Sequence, residues 1–224
     1  MYHYPAALTD SEAAEIYERA LSDIEWQKPI TKSGCPLPRQ TAWLSSGKCT
    51  CPYKYGGIEM QADAFPPWLT QLTHKVMKLC NFAAWPSDFP EPNSCNMNLY
   101  RGKHKACGWH GDDEDLWGNA ETIIISLSVG ATRDFDISFK DQKKKYKSLS
   151  LQHGDLCMMS GWFQNVFDHR VPFSQKQVGN RINFTWRWIA NHVSGCVEHG
   201  SPAPHLNARH HPQPLVRHIC EALE

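Results

Sequence analysis

Arg181-Ile182-Asn183-Phe184-Thr185-Trp186-Arg187-Trp188 places a polar residue at every odd position and a large apolar residue at every even one. In a strand, alternate side chains point to opposite faces, so this segment has one face for a polar interior and one for a hydrophobic core. Cys95-Asn96-Met97-Asn98-Leu99-Tyr100 repeats the pattern, with Asn96, Asn98 and Tyr100 on one side. Between and around these two segments, further short strands are expected at Thr122–Val129, Arg133–Phe139, Lys147–Leu151, Asp155–Ser160 and Val166–Val171, separated by Gly, Asp and Lys turn residues. The last strand is expected to run from Arg181 to Ile189.

The amino-terminal part reads differently. Thr9 and Glu12 are spaced as a capping box, and Ala13, Tyr17, Ala20, Leu21 and Ile24 follow at helical intervals. Pro66-Pro67 introduces a second helix in which Trp68, Leu72, Val76 and Leu79 form a stripe ending before Asn81. Helices followed by a strand meander make the fold class α+β.

The chain has 224 residues, of which 23 are basic and 23 acidic, so net charge favours no class of partner. Nucleic-acid affinity would need a local patch. No run approaches the ~18 apolar residues of a membrane span, and the start lacks a basic, apolar leader, so an intracellular protein, nuclear or cytoplasmic and without membrane association, is expected. Nine cysteines without framework spacing read as reduced thiols, and Cys49-Thr-Cys51 as an incidental loop pair rather than a chelate. The run from Lys140 to Lys147 reads as an exposed hairpin loop.

His110 and Asp112 project to one side of an extended segment while Gly111 points away, so both can reach one ion. Two imidazoles and one carboxylate on one face of iron(II) leave positions for a co-substrate and dioxygen. A His-x-Asp pair alone is weak, because surface His and Asp are common. His169 is a candidate third ligand, but a core histidine reads the same way and twelve histidines compete. Arg181 and Arg187 face alike, and a planar guanidinium suits a carboxylate. The same pattern fits a solvent-facing sheet.

Taken as a set, Asn98-Leu-Tyr100-Arg-Gly, His110-Gly-Asp112-Asp113-Glu114, Ile125 to Phe135, Gly154 to Met159, His169 and Arg181 to Arg187 resemble the AlkB family of iron(II)- and 2-oxoglutarate-dependent dioxygenases, over roughly residues 36–189. Pro38-Arg39-Gln40 and Tyr53-Lys-Tyr55-Gly56 resemble the nucleotide-recognition part of its nucleic-acid dealkylating members. The resemblance implies a double-stranded β-helix, or jelly roll, with the N-terminal helices packed on the outer sheet face. It implies a dioxygenase domain over 1–190, with helices and recognition portion to about 92 and the jelly-roll core over about 93–190, and a His/Pro-rich extension over 191–224.

Carried over residue by residue, the resemblance makes His110, Asp112 and His169 the iron ligands. Asn98, Tyr100, Arg181, Thr185 and Arg187 become 2-oxoglutarate contacts, with Arg181 on the distal carboxylate, Arg187 nearer the metal and Asn183 supporting that end. The implied reaction consumes dioxygen and 2-oxoglutarate, yields succinate and carbon dioxide, and removes an N-methyl group of DNA or RNA as formaldehyde. The same chemistry on a protein or small molecule is the alternative, since a fold does not fix a substrate. Tyr53 and Tyr55 are expected to wall an extruded base, Asp113 and Glu114 to favour the cationic 1-methyladenine or 3-methylcytosine, and Arg39 and Arg133, with Lys143, Lys144, Lys145 and Lys147, to meet phosphates.

Duplex-acting relatives carry an aromatic wedge upstream of the Pro-Arg pair, but Ile30-Thr31-Lys32-Ser33-Gly34 has no ring, so a monomer acting on single strands is expected. Trp26 and Trp43 are the nearby rings that would substitute. Beyond Ile189, His192, Cys196, His199, His205, His210, His211, His218 and Cys220 are either a second metal site without recognisable spacing or a Pro-rich connector. The connector would lead to a short helix bearing Val216, Ile219, Cys220 and Leu223.

Overall fold

Every residue from Arg181 to Arg187 is buried, although the segment alternates polar and apolar side chains. Two different interiors therefore meet at this strand. In the computed structural model, which describes residues 1–80, 90–118, 122–142, 144–159, 162–174 and 176–199, one interior is a hydrophobic layer under two helices and the other a polar cavity between two sheets.

In chain order the elements are β1 (Tyr2–Tyr4), α1 (Asp10–Asp23), β2 (Gln40–Ser45), β3 (Tyr53–Tyr55), β4 (Ile58–Met60), β5 (Asp63–Ala64), α2 (Pro67–Leu79), β6 (Ser94–Arg101) and β7 (Cys107–His110). After a single 3-10 turn at Asp115–Trp117 come β8 (Ile124–Gly130), β9 (Arg133–Phe139), β10 (Lys147–Leu151), β11 (Leu156–Met159), α3 (Phe163–Val166), β12 (Phe167–Val171) and β13 (Asn180–Arg187). The larger sheet has the order β1-β11-β8-β13-β6-β2-β5 and the smaller β10-β9-β12-β7, with β3 and β4 forming a separate hairpin. These two facing sheets are the expected jelly roll, and both helices lie on the outer face of the larger one.

The helices sit there because that face is aromatic. Trp68 of α2 meets Phe184 edge-on at 6.2 Å between ring centroids, and the Trp186 indole N–H donates to Thr73 Oγ1 at 2.9 Å. Ala13 and Ala20 of α1 are fully buried in the same layer. The capping box is present: Glu12 N–H donates to Thr9 Oγ1 and Thr9 N–H to the Glu12 carboxylate. Lys75 also bonds that carboxylate, and Lys75 first, then Thr9, lower its pKa to about 2. The contribution of the pair is therefore present above the ordinary carboxylate range and is lost as pH falls towards 2. Thr9→Ala is expected to lower stability by about 1 kcal/mol in urea unfolding at neutral pH, and an unchanged midpoint would refute the cap.

Several expectations change in detail. The strand expected to begin at Val166 begins at Phe167, because Phe163–Val166 closes a helical turn first. β2 was not expected; Thr41 to Ser45 are buried on both faces, which erases the period-two signal. β1, β3, β4, β5 and β7 were also not expected, being only two to four residues long. The lysine run does lie between β9 and β10, with Lys143 outside the described residues.

Trp43 is not a free wedge, since it is fully buried and its indole N–H donates to Cys51 O, and Trp26 N–H is likewise held by Ala20 O. Residues 191–199 do not stand apart from the domain: Asn191 Nδ2 donates to Asp115 O and Cys196 is buried beside Cys49. Asn81, Ser160, His205, His210, His211, His218, Cys220 and the tail helix with Val216, Ile219 and Leu223 lie outside the described residues.

Candidate active site

β7 and β12 are antiparallel neighbours in the smaller sheet, and their register sets His110 directly opposite His169. Asp112 follows two residues beyond His110, held by its own N–H donating to Gln164 Oε1 at 3.0 Å. His110 Nε2 lies 3.9 Å from Asp112 Oδ1 and His169 Nε2 lies 3.8 Å from Asp112 Oδ2. These separations are too long for hydrogen bonds and suit one ion between the three side chains, whose ligand atoms all fall within 4.8 Å of one another. His110 Nδ1 donates to Gly108 O at 2.8 Å, which leaves Nε2 to face the others.

The electrostatics of His169 and Asp112 fit a cation, whereas His110 must release a proton to ligate one. Burial, then His110, pushes His169 down to about 3, so at neutral pH its imidazole is uncharged and has a lone pair to donate. Burial opposes charge on His110, but Cys107, Asp112 and the Gly108 carbonyl outweigh it and lift its pKa to about 10. Burial also opposes ionisation of Asp112, yet Arg187 and the two histidines hold its carboxyl far below the usual range.

A cavity of about 420 Å³ opens over this set, with the polar face of β13 as one wall. Arg187 Nη2 is 2.7 Å from Asp112 Oδ2, and its guanidinium lies over the rings of Trp117 and Tyr53 at 5.1 and 5.8 Å. Arg181, only 1 % exposed, donates through Nη2 to Ser128 Oγ at 2.8 Å, while its Nε and Nη1 meet no acceptor within hydrogen-bond geometry among the described residues, Tyr100 being the phenol that interacts with it. Burial lowers its pKa, partly offset by Tyr100, whose ring it overlies at 5.4 Å. Buried guanidinium N–H groups without acceptors cost roughly 1–3 kcal/mol each, which a bound carboxylate removes. Arg39, Arg133, Arg181 and Arg187 are all buried, and among the described residues only Arg187 of these four pairs with a carboxylate. That imbalance fits a dianion such as 2-oxoglutarate. Asn98, Tyr100, Asn183 and Thr185 line the same wall, with Asn183 Nδ2 bonded to Ser126 Oγ and Thr185 Oγ1 to Asn183 Oδ1.

The 2OG-Fe(II) oxygenase superfamily profile matches residues 1–187. The chain belongs to that superfamily. Its cofactor set is therefore iron(II), 2-oxoglutarate and dioxygen, as expected from the sequence. Its relatives are AlkB homologues, in keeping with the stated resemblance. The chain is 32 % identical over 200 residues to human alpha-ketoglutarate-dependent dioxygenase alkB homolog 3, covering 83 % of this chain and 65 % of that protein. It is 30 % identical over 197 residues to the rat protein of that name, covering 83 % and 63 %. To the Arabidopsis thaliana protein called DNA oxidative demethylase ALKBH2 it is 31 % identical over 194 residues, covering 74 % and 59 %. The chain thus spans a little under two thirds of the length of these proteins. The solved structure of OsALKBH1 superposes with a TM-score of 0.59 at 18 % identity, covering 83 % of this chain and 95 % of that one, which supports the same fold for both.

The substrate side of the cavity departs from expectation at several residues. Arg133 has no exposed donor for a phosphate: it is 3 % exposed, its Nη2 bonds the carbonyls of Lys105 and Pro172, and its guanidinium overlies Tyr100. Arg39 is also buried, bonding Asn98 Oδ1 and facing Tyr55, so it lines the cavity instead of a phosphate track. Glu114 is not a free base-reading carboxylate, because Tyr53 OH and Trp117 Nε1 donate to it at 2.9 and 2.8 Å. Asp113 stands at the mouth, paired with Lys140 at 2.6 Å. The Tyr53 and Tyr55 rings lie 4.5 Å apart, tilted by 33°, and line the cavity. Gln164 and Phe135, which stacks on His169 at 5.1 Å, were missed as site residues; Gln164 belongs to no pattern visible in sequence, and Phe135 lies in the expected strand Arg133–Phe139, where it reads as a core residue.

Proposed function

We propose that the chain is an oxidoreductase that removes N-methyl groups from bases such as 1-methyladenine and 3-methylcytosine in DNA or RNA, with release of formaldehyde, succinate and carbon dioxide. The observation that carries the reading is Arg181, a buried cation with unpaired donors on the same cavity as the His110, Asp112 and His169 set. In this reading those three side chains hold iron(II). Bound with 2-oxoglutarate and dioxygen, it supplies the oxidising power for a C–H bond. Arg181, with Ser128 and Tyr100 behind it, receives the distal carboxylate through two parallel N–H bonds. Asn98, Asn183 and Thr185 position the remainder, and Arg187 fixes the orientation of Asp112. Their rigidity keeps the reacting groups aligned and water out.

Tyr53 and Tyr55 form the wall on which an extruded base rests, and Glu114 orients Tyr53 through its hydroxyl. The AlkB homologues matched above, one of them named a DNA oxidative demethylase, support a nucleic-acid substrate. Single strands are the preferred form, acted on by a monomer. The turn upstream of Pro36 is closed by Thr31 N–H to Cys35 O and presents Ile30, 66 % exposed, where a duplex enzyme needs a ring to fill the vacated stack. The site of action is intracellular, nuclear or cytoplasmic; no helix among the described residues is long and apolar enough to cross a membrane.

Oligonucleotides carrying one 1-methyladenine or 3-methylcytosine, as DNA and RNA, single and double stranded, test the proposal with iron(II), 2-oxoglutarate and oxygen supplied. Formaldehyde should appear fastest from single strands. Succinate formation without formaldehyde from any of them would transfer the same chemistry to a protein or small-molecule substrate.

A further inference from the structure

We propose that Cys49, Cys51, His192 and Cys196 form a second metal centre, a closed structural zinc site that fastens the base-recognition hairpin to the end of the jelly roll. Cys49 and Cys51, expected as an incidental loop pair, converge with two residues from the segment after β13. His192 Nδ1 lies 3.5 Å from Cys49 Sγ, 3.5 Å from Cys51 Sγ and 3.6 Å from Cys196 Sγ, and the Cys49 and Cys196 sulfurs are 3.8 Å apart. With Zn–S bonds of about 2.3 Å and Zn–N bonds of about 2.0–2.1 Å, a regular tetrahedron has S···N edges of about 3.6 Å and S···S edges of about 3.8 Å. Four of the six edges of a Cys3His coordination tetrahedron thus already have their metal-bound lengths, and all four ligand atoms lie within 4.8 Å of one another.

Strand order explains how residues so far apart in sequence arrive together. β2 and β13 both run antiparallel to β6, which lies between them, and Ser45, Ser94 and Arg187 are aligned across the three strands. β2 and β13 therefore run parallel and leave the sheet at the same end, two strand spacings or about 10 Å apart. The loop after β2 brings Cys49 and Cys51; the turn after β13 brings His192 and Cys196. Backbone donors surround the sulfurs: Val193 N–H reaches Cys51 Sγ at 3.4 Å, and the N–H groups of Thr50 and Glu198 point at Cys196. Such N–H···S contacts stabilise metal-bound thiolates and orient them. All three cysteines are buried.

Ligand chemistry separates this centre from the iron site. Three thiolates and an imidazole are soft donors that suit zinc, whereas two imidazoles and a carboxylate with open positions suit iron(II). Four protein ligands leave no position for water or substrate, so the zinc is structural. Its location gives it a purpose. Cys51 precedes Tyr53 by two residues, Cys51 O accepts the Trp43 indole N–H, and Trp43 packs on Tyr53 at 4.9 Å. The clamp fixes the root of the hairpin whose tyrosines face the cavity.

Metal analysis of the full chain tests this independently of any turnover. The Asp112→Ala protein, which lacks the iron site, should retain one zinc per chain after passage over a weak chelating resin. Cys49→Ser/Cys51→Ser should retain none, and its half-saturating oligonucleotide concentration should rise while succinate formation without nucleic acid is unchanged. Cobalt(II) added to metal-stripped wild-type protein should give the thiolate charge-transfer bands of a tetrahedral site, which keeps the test valid if the double variant does not fold. His192→Cys should keep the metal with those bands intensified. Substoichiometric zinc in Asp112→Ala, a cobalt spectrum without thiolate bands, or a Cys49–Cys196 disulfide in intact mass under non-reducing conditions would each overturn the proposal.

Discussion

Asp112→Ala is expected to reduce both formaldehyde release and succinate formation below detection and to abolish iron retention. The carboxylate pairs directly with Arg187 at 2.7 Å and would share a bound iron with the two histidines. Its loss removes a ligand and also strands Arg187, 3 % exposed, as a buried cation. Removing one partner of a buried ion pair costs roughly 3–5 kcal/mol, so the variant should also unfold at lower urea concentration. Asp112→Asn separates the two effects. It keeps shape and part of the bonding to Arg187, so stability should largely recover while iron retention and both products stay absent. Robust turnover in either variant would remove Asp112 from the metal site.

Arg181→Met is the second large effect, and it should move stability and co-substrate affinity in opposite directions. Arg181 is a buried guanidinium bonded to one serine hydroxyl, with two further donors unpaired among the described residues. An apolar chain of similar length removes that penalty, so the unfolding temperature of the free protein should rise. With 2-oxoglutarate the sign reverses. Two charge-assisted bonds at about 1.5–3 kcal/mol each correspond to a rise of at least about 10²-fold in the half-saturating 2-oxoglutarate concentration. The added 2-oxoglutarate should then fail to stabilise the variant as it stabilises wild type. A variant of lower stability with unchanged 2-oxoglutarate affinity would show that Arg181 serves packing alone.

The legible part of this molecule was the part with a period. The β13 alternation announces two unlike interiors, and the helix stripes at Trp68, Leu72 and Val76 announce what covers one of them. The metal set was legible only through its neighbours on β13, because His-x-Asp is common by itself. β2 was illegible because burial on both faces leaves no contrast between adjacent residues. Arg133 was expected to meet phosphates, but tertiary packing turns it inward to two carbonyls on other segments. The Cys49, Cys51, His192 and Cys196 cluster has no sequence period at all, being a product of which strands leave the sheet together. Asp113 and Glu114, expected to favour a cationic base, line the cavity, and their partners Lys140, Tyr53 and Trp117 decide what those carboxylates can do.

Arg187 touches Asp112 on one side and lies over the rings of Tyr53 and Trp117 on the other. It is a mechanical link between Asp112 and those two rings, and thermodynamics makes any coupling carried by such a link run equally both ways. In the proposed reaction, by whatever factor a seated base tightens iron, iron tightens the base. If the proposed base demethylation holds and that factor exceeds one, a chain depleted of iron is also the weaker binder of methylated strands and leaves them accessible to loaded copies.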